Sequence, residues 1–287
     1  MRSKARGTKD SSYTVPVRKL TVTVITFNEA RHLAAALESV AWADEIVVVD
    51  GGSSDDTVAV ARRYTDRVIC RDWPGFGPQK NYAASLATND WILTLDADER
   101  VTPTLAAAMR ETLAGDPSAA AYRMRRLSWH LGRWVRSTDW YPDYQTRLYD
   151  RRRAEWVDRK VHEGLIVDGR ITLLPGELHH YPYRSISDHL STIDRYTTLW
   201  AEQALVDGLR ARVRDLVLRP PAAFLRNYVL RYGFIDGRAG FVISLMNTSY
   251  VVLKFAKLWE LQMAKPNAQS SMPNAQYRKT SNTGDED

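Results

Sequence analysis

Asp96 and Asp98 stand one residue apart at the end of the apolar run Trp91-Ile92-Leu93-Thr94-Leu95. Such a run, with a β-branched member, reads as a buried strand. If the strand continues through Asp98, both carboxylates point to one face. Side by side they repel and lose hydration unless a cation or a hydrogen-bond donor joins them. Hard oxygen ligands of this kind suit Mg²⁺ or Mn²⁺, ions that substrate phosphates also hold. A bare D-x-D also fits a solvated acidic turn, so its meaning depends on what stands near it.

Two other polar clusters end apolar strands in the same way. Leu20–Ile25 runs into Thr26-Phe27-Asn28-Glu29, and Glu45–Val49 runs into Asp50-Gly51-Gly52-Ser53-Ser54. Helices are expected over Ala30–Val40, Thr57–Tyr64, Gln79–Ala87 and Thr104–Ala114, with a short strand at Arg67–Cys70. Pro103 sits where a helix tolerates proline, in its first turn. This strand–helix alternation predicts an α/β fold with a Rossmann-like, mostly parallel sheet covered on both faces. In such sheets ligands bind outside the carboxyl ends of the strands, where all three clusters fall. The first turn has no G-x-G-x-x-G and the chain has no P-loop signature, which disfavours a dinucleotide. An acid at the end of a second strand commonly hydrogen-bonds part of a nucleotide, and Asp50 fits that role.

From Ala119 the pattern changes to short strands (Ala120–Arg125, Thr146–Tyr149, Ile171–Leu174) among basic, aromatic loops holding Trp129, Trp134, Trp140 and Trp156. Most of these rings suit a core, and one or two suit a sugar's C–H face. From Ser187 the chain is helical to Leu218. Pro220-Pro221 is expected to break the helix and start another to Tyr232, with a last helix over about Phe241–Met263. The resulting division is a disordered tail (1–18), a catalytic domain (19–185), an amphipathic helical appendage (186–264) and a second disordered tail (265–287).

The chain has 287 residues, 44% hydrophobic, with a formal charge of +6. That balance suits an anionic partner such as a nucleotide or an anionic membrane surface. A single cysteine, Cys70, excludes a disulfide framework. The N-terminus lacks an apolar secretory segment and no unbroken apolar run of about 18 residues occurs, so the expected compartment is the cytoplasm. Phe241, Leu245, Val252, Phe255 and Trp259 share an apolar helix face, and Phe224, Tyr228 and Tyr232 another beside Arg219, Arg226 and Arg231. Basic amphipathic helices of this kind suit the inner surface of the plasma membrane. Packing on the catalytic domain or in a dimer is the alternative.

Four segments together, T-F-N-E-A (Thr26 to Ala30), V-V-V-D-G-G-S-S-D-D-T (Val47 to Thr57), Q-K-N-Y-A (Gln79 to Ala83) and L-D-A-D-E-R (Leu95 to Arg100), resemble the inverting family 2 glycosyltransferases of GT-A fold. Within that family the chain resembles the lipopolysaccharide-core β-glucosyltransferase branch. The match covers about Leu20 to Glu163 and extends loosely to the last helices. The resemblance implies the GT-A (nucleotide-diphospho-sugar transferase) fold and a nucleotide-sugar donor, usually uridine diphosphate, with glucose as the expected sugar. It further implies Mg²⁺ or Mn²⁺, a lipid-linked or lipopolysaccharide-core glycan as acceptor, and no nucleic acid. By position it implies nucleotide contacts from Thr26, Asn28, Glu29, Asp50 and Gly52. Asp98 would be the direct metal ligand and Asp96 a ligand through water. Lys80 would face the donor phosphates, the alternative being an exposed lysine near a helix start.

Inversion requires a base opposite the leaving diphosphate. Val161-His162-Glu163-Gly164 resembles a recurrent element of the branch, which implies Glu163 as base and His162 near the metal; Asp143 is the rival base. Arg147 either grips phosphate or pairs with an acid. Two further classes compete: a haloacid-dehalogenase-like phosphatase, weakened because Arg100 fills the fifth motif position, and a basic nucleic-acid-binding module with aromatic stacking platforms.

Overall fold

A computed structural model of the protein describes residues 17–157 and 164–269. The first half is the expected alternation: β1 (Leu20–Thr26), α1 (Ala30–Glu38), β2 (Glu45–Asp50), α2 (Thr57–Ala61), β3 (Val68–Cys70), α3 (Phe76–Ser85) and β4 (Trp91–Asp96). β1 pairs in parallel with β2 and β4, and β2 with β3. Every residue of β1 is buried because the sheet is covered on both faces. Leu20, Val22 and Val24 face Leu33 and Leu37 of α1 and Leu105 and Met109 of α4 (Pro103–Ala114). Ile25, Val47 and Val49 meet Ala83 of α3 on the other side. α3 starts at Phe76, three residues before the expected Gln79. Pro78 sits in its first turn, where a missing N–H costs nothing.

The second half explains how distant residues meet. β5 (Glu99–Val101), β6 (Ala121–His130), β7 (Arg133–Val135), β8 (Asp143–Asp150), β9 (Ala154–Val157), β10 (Gly164–Val167) and β11 (Ile171–His180) follow. The sheet order is β3-β2-β1-β4-β8-β6-β11-β5, with β7 on β6. The sheet is parallel through its first half and mixed in its second, where β8 runs antiparallel to β4 and β6. β4 and β5 are joined by Ala97 and Asp98 alone, yet three strands stand between them. A link that short spans at most about 10 Å, so the sheet must curl until β5 returns beside the end of β4. The curl carries β11 to the D-x-D turn.

The helical region is α5 (Ile186–Val206), α6 (Val213–Leu225), a π-helical turn (Arg226–Leu230), a 3-10 turn (Gly233–Asp236) and α7 (Gly237–Gln269). Contrary to expectation, α6 runs straight through Pro220-Pro221. Leu216 packs against the cluster that holds Phe255 and Leu258 of α7, and Asp215 pairs with Arg219 at 2.7 Å across the turn ahead of the prolines. That packing outweighs two missing N–H donors, and the widened π-turn follows immediately. The helices are tied to the sheet by buried Asp236, which accepts from Ser137 Oγ at 2.5 Å and the Arg136 N–H at 3.0 Å and pairs with Arg133. A Cβ on Gly240 would lie 1.8 Å from the Gly233 carbonyl oxygen, so only glycine fits there. Residues Gly233–Met263 are long and apolar enough to cross a membrane by length and composition, an 18-residue window within them having mean hydropathy 1.4, although no unbroken apolar run exists. A third of that window is buried against the rest of the protein. The expected tails fall largely outside the described residues.

Candidate active site

The three polar clusters meet at one edge of the sheet. Thr26 is the register partner of Asp50, and Ile25 of Asp96. Asn28 adopts a left-handed conformation (φ 56°), which its short polar side chain tolerates. Its amide accepts from the Ser54 N–H at 2.9 Å, and its own N–H donates to Ser53 Oγ at 2.7 Å. Asp55 accepts from the N–H groups of Ala30 and Thr57, joining the starts of α1 and α2.

Asp50 is fully engaged with its own loop. Its carboxylate accepts from Thr26 Oγ1 at 2.9 Å, Ser53 Oγ at 2.5 Å, and the N–H groups of Gly52 and Ser53 at 2.9 and 2.8 Å. The acid expected to contact the nucleotide thus shapes the loop in this structure and turns no unfilled edge outward. An aromatic wall stands beside it instead. Phe27 and Phe76 are exposed by 53% and 52%, and Trp73 meets Phe76 edge-on at 5.0 Å. Gly51 permits this closeness, since a Cβ there would come within 2.7 Å of Trp73.

The D-x-D departs from the expected geometry. β4 ends at Asp96, and Ala97-Asp98 turns into β5, so the two aspartates do not share a strand face. The cause is Glu99, which leaves to pair with His180 on β11. Asp96 sits 3.2 Å from Lys80 Nζ and accepts from Arg147 on its other oxygen. Lys80 is no surface lysine: it is 1% exposed and lies 4.5 Å over the Trp156 ring. Arg147, 3% exposed, also donates to Glu99 at 2.7 Å. Glu99, wholly buried, meets Arg126 at 3.1 Å, and Arg126 meets Asp143 at 2.7 Å. The result is a line of alternating charge: Lys80, Asp96, Arg147, Glu99, Arg126, Asp143. Burial would raise the Asp96 pKa, but Arg147 and Lys80 hold it well below the usual carboxylate range.

Asp98 faces a different partner. Its Oδ2 is 3.3 Å from His180 Nε2, while His180 Nδ1 is held by Ser128 Oγ at 2.9 Å. Burial works to raise the Asp98 pKa, and His180 more than offsets it. Among the described residues, no group of three His, Cys, Asp or Glu side chains is gathered to cage an ion. The pair Asp98–His180 nevertheless fits a divalent cation. An oxygen and a nitrogen about 3 Å apart match two neighbouring ligands at about 2.1 Å each, and Mg²⁺ takes its remaining ligands from water and phosphate. If Ser128 accepts from Nδ1–H, it leaves the Nε2 lone pair for such an ion. The local charge agrees: Lys80, Arg126 and Arg147 stand against Asp96, Asp98, Glu99 and Asp143.

Glu29 completes the mouth. Burial first, then the Asp98 carboxylate, push its pKa up to about 7. Asp143, the rival base, has one oxygen on Arg126 and the other on Gln145 Nε2 at 2.7 Å. His162 and Glu163 lie outside the described residues; the imidazole that faces Asp98 among those described is His180. Glu99, Arg126 and His180 are not singled out by the sequence. Glu99 was within the quoted L-D-A-D-E-R, whereas nothing in the sequence links His180 to Asp98 across 82 positions.

The profile of Glycosyl transferase family 2 matches residues 21–165. The chain is similar to the lipopolysaccharide core biosynthesis glycosyltransferase LpsC of Rhizobium meliloti (strain 1021), 28% identical over 90% of this chain and 99% of that protein. It is also similar to an uncharacterized glycosyltransferase of Rickettsia typhi, 30% identical over 89% of this chain and 91% of that one. The crystal structure of glucosyl-3-phosphoglycerate synthase from Mycobacterium tuberculosis with Mn²⁺ and UDP-glucose overlaps only 39% of this chain and 44% of that one, at TM-score 0.33 and 20% identity. The phosphatase and nucleic-acid readings find no support in these likenesses. With half the chain matched to its profile, and the motif residues gathered at one sheet edge, the protein belongs to glycosyltransferase family 2.

Proposed function

We propose that this glycosyltransferase moves a sugar, glucose from UDP-glucose, with inversion onto a membrane-anchored glycan such as a lipopolysaccharide core. The observation that carries the reading is the Asp98–His180 pair beside the Asp96–Lys80–Arg147 cluster at the carboxyl edge of the sheet. The nucleobase would stack at Phe27, Trp73 and Phe76, near the loop that Asp50 shapes. Lys80 and Arg147 would lend positive charge to the donor phosphates, and burial strengthens that field. Asp98 and His180 would hold Mg²⁺ or Mn²⁺, which when bound neutralises charge on the diphosphate. The acceptor hydroxyl's proton would pass to Glu163, the base that the family resemblance implies, whereas both oxygens of Asp143 already have donors. Similarity to LpsC supports the acceptor class.

A peripheral seat on the cytoplasmic membrane face belongs to the same proposal. Val213, Val217, Leu218, Leu225, Leu230, Phe234 and Ile235 are all exposed on one stretch. Residues 207–238 carry seven arginines against three aspartates, a composition suited to an anionic lipid surface. The test is a panel of nucleotide sugars scored for hydrolysis and thermal stabilisation with and without Mn²⁺. UDP-glucose with Mn²⁺ should respond most. A response to no nucleotide sugar would overturn the reading.

A further inference from the structure

Beside the charged line lies a second, uncharged site. Trp140, Tyr183, His189, Thr192, Ile193, Tyr196, Asn247 and Tyr250 line a cavity of about 170 Å³ between the end of β11, α5 and α7. Its floor is a cluster of rings: Tyr183 stacks on His189 at 4.1 Å, and His130 contacts Trp140, Tyr183 and His189 at 5.2–5.5 Å. None of these residues is an acid, a lysine or an arginine. Among the described residues His189 is 3% exposed, and its Nδ1 has no hydrogen-bond partner; the same holds for Nε2 of His130.

Resting on the glycosyl-transfer reading, we propose that this cavity binds one uncharged pyranose ring of the acceptor glycan, next to the unit that reacts. The ring's C–H face would lie on the aromatic floor. Its hydroxyls would meet the Asn247 amide and the tyrosine hydroxyls. No lining side chain would pair with a phosphate or carboxylate, and the neighbouring cations Arg195 and Lys254 are engaged over the Tyr196 and Tyr250 rings at 5.3 and 5.5 Å. An acyl chain would leave those polar groups unmet. Burial first, then the neighbouring His130, push the His189 imidazole down to about 4, so the floor stays neutral near pH 7. The position suits an acceptor. Tyr183 is three residues beyond His180, a reach of at most about 10 Å. Trp140 is three residues before Asp143, at the end of the charged line.

The experiment uses the full chain and saturation-transfer NMR with methyl β-D-glucopyranoside, methyl α-D-mannopyranoside and glucose 6-phosphate as probes. The neutral glycosides should receive saturation at their ring C–H protons, and glucose 6-phosphate should not displace them. Thr192→Trp, which fills the cavity, and Asn247→Leu, which removes its amide, should abolish the signal while UDP affinity measured by calorimetry stays unchanged. Equal signals in wild type and in variants that still bind UDP would overturn the proposal, as would no signal from wild type. Failure of wild type to bind UDP would instead sink the nucleotide-sugar reading and leave the glycoside result standing.

Discussion

Arg147→Met tests the charged line that organises the site. Arg147 is buried between Asp96 and Glu99, and both carboxylates accept from it. Methionine fills much of the volume but removes the charge. Breaking one partner of a buried pair costs about 3–5 kcal/mol, because the remaining charge has left water without compensation. Here Asp96 keeps Lys80 and Glu99 keeps Arg126, so the low end, about 3 kcal/mol, applies. For a protein of this size that lowers the melting midpoint by roughly 6–12 °C. Both bonds leave the same terminal nitrogen, so Arg147→Lys, whose ammonium carries three donors, should recover part of the loss. Glu99→Gln in the Arg147→Met background removes one of the stranded charges. The double variant should therefore lose less than the sum of the two single losses, by about 1 kcal/mol or more. Thermal and urea unfolding followed by circular dichroism read all five proteins, wild type included. A midpoint loss under about 2 °C, or strict additivity, would show that Arg147 is only a space-filler and that the line is not energetically coupled.

The remaining predictions concern the chemistry. Asp98→Ala should abolish Mn²⁺-dependent transfer with the melting midpoint retained; normal turnover would remove Asp98 from the metal's ligands. Ser128→Ala should raise the Mn²⁺ concentration for half-maximal donor hydrolysis by about tenfold, the usual cost of losing a group that orients a ligand; an unchanged titration would refute the His180 assignment. Glu163→Gln should keep UDP affinity but lower the transfer rate by about 10²–10⁴, whereas Asp143→Asn should chiefly lower stability through Arg126; the reverse pattern would make Asp143 the base. Glu29 has a folded pKa of about 7, above its ordinary 4.5. Its contribution to stability is therefore complete below about pH 4.5 and is lost as pH rises through 7. The melting midpoint of wild type relative to Glu29→Gln should fall between pH 5 and 8, and a flat difference would refute the burial argument. Leu218→Glu with Leu230→Glu should release the protein from anionic vesicles in a flotation assay, and unchanged binding would place the contact elsewhere.

What the sequence discloses here follows from how local each feature is. The strands at Leu20–Thr26, Glu45–Asp50 and Trp91–Asp96 are legible because an interior sheet demands continuous apolar, β-branched runs. Their polar ends are legible because such sheets bind ligands at that edge. The nearby pairing of Thr26 with Asp50 follows directly. Beyond Asp96 local reading fails. The step to β5 depends on β11, about 80 residues later, offering an edge for Glu99. No periodicity in Leu95–Arg100 could announce that turn.

The partners of the D-x-D carboxylates follow from this one topological step. Curling the sheet sets β8 beside β4 and β11 beside β5, so Arg147 comes to Asp96 and His180 to Asp98. The same step separates the two aspartates by role. Asp96 is enclosed by cations, and its charge is committed to holding Lys80 and Arg147 in place. Among the described residues, the ion-pair partner of Asp98 is an imidazole rather than a guanidinium or an ammonium. A strand running on through Asp98 would have left two equivalent, repelling acids. The turn yields one acid that orients the cationic side chains and another that, in the function proposed above, would take up a metal ion. A site assembled from elements this far apart in sequence owes its rigidity to the sheet rather than to any loop. That is why the buried charged line, and not the motif alone, decides whether the D-x-D can act.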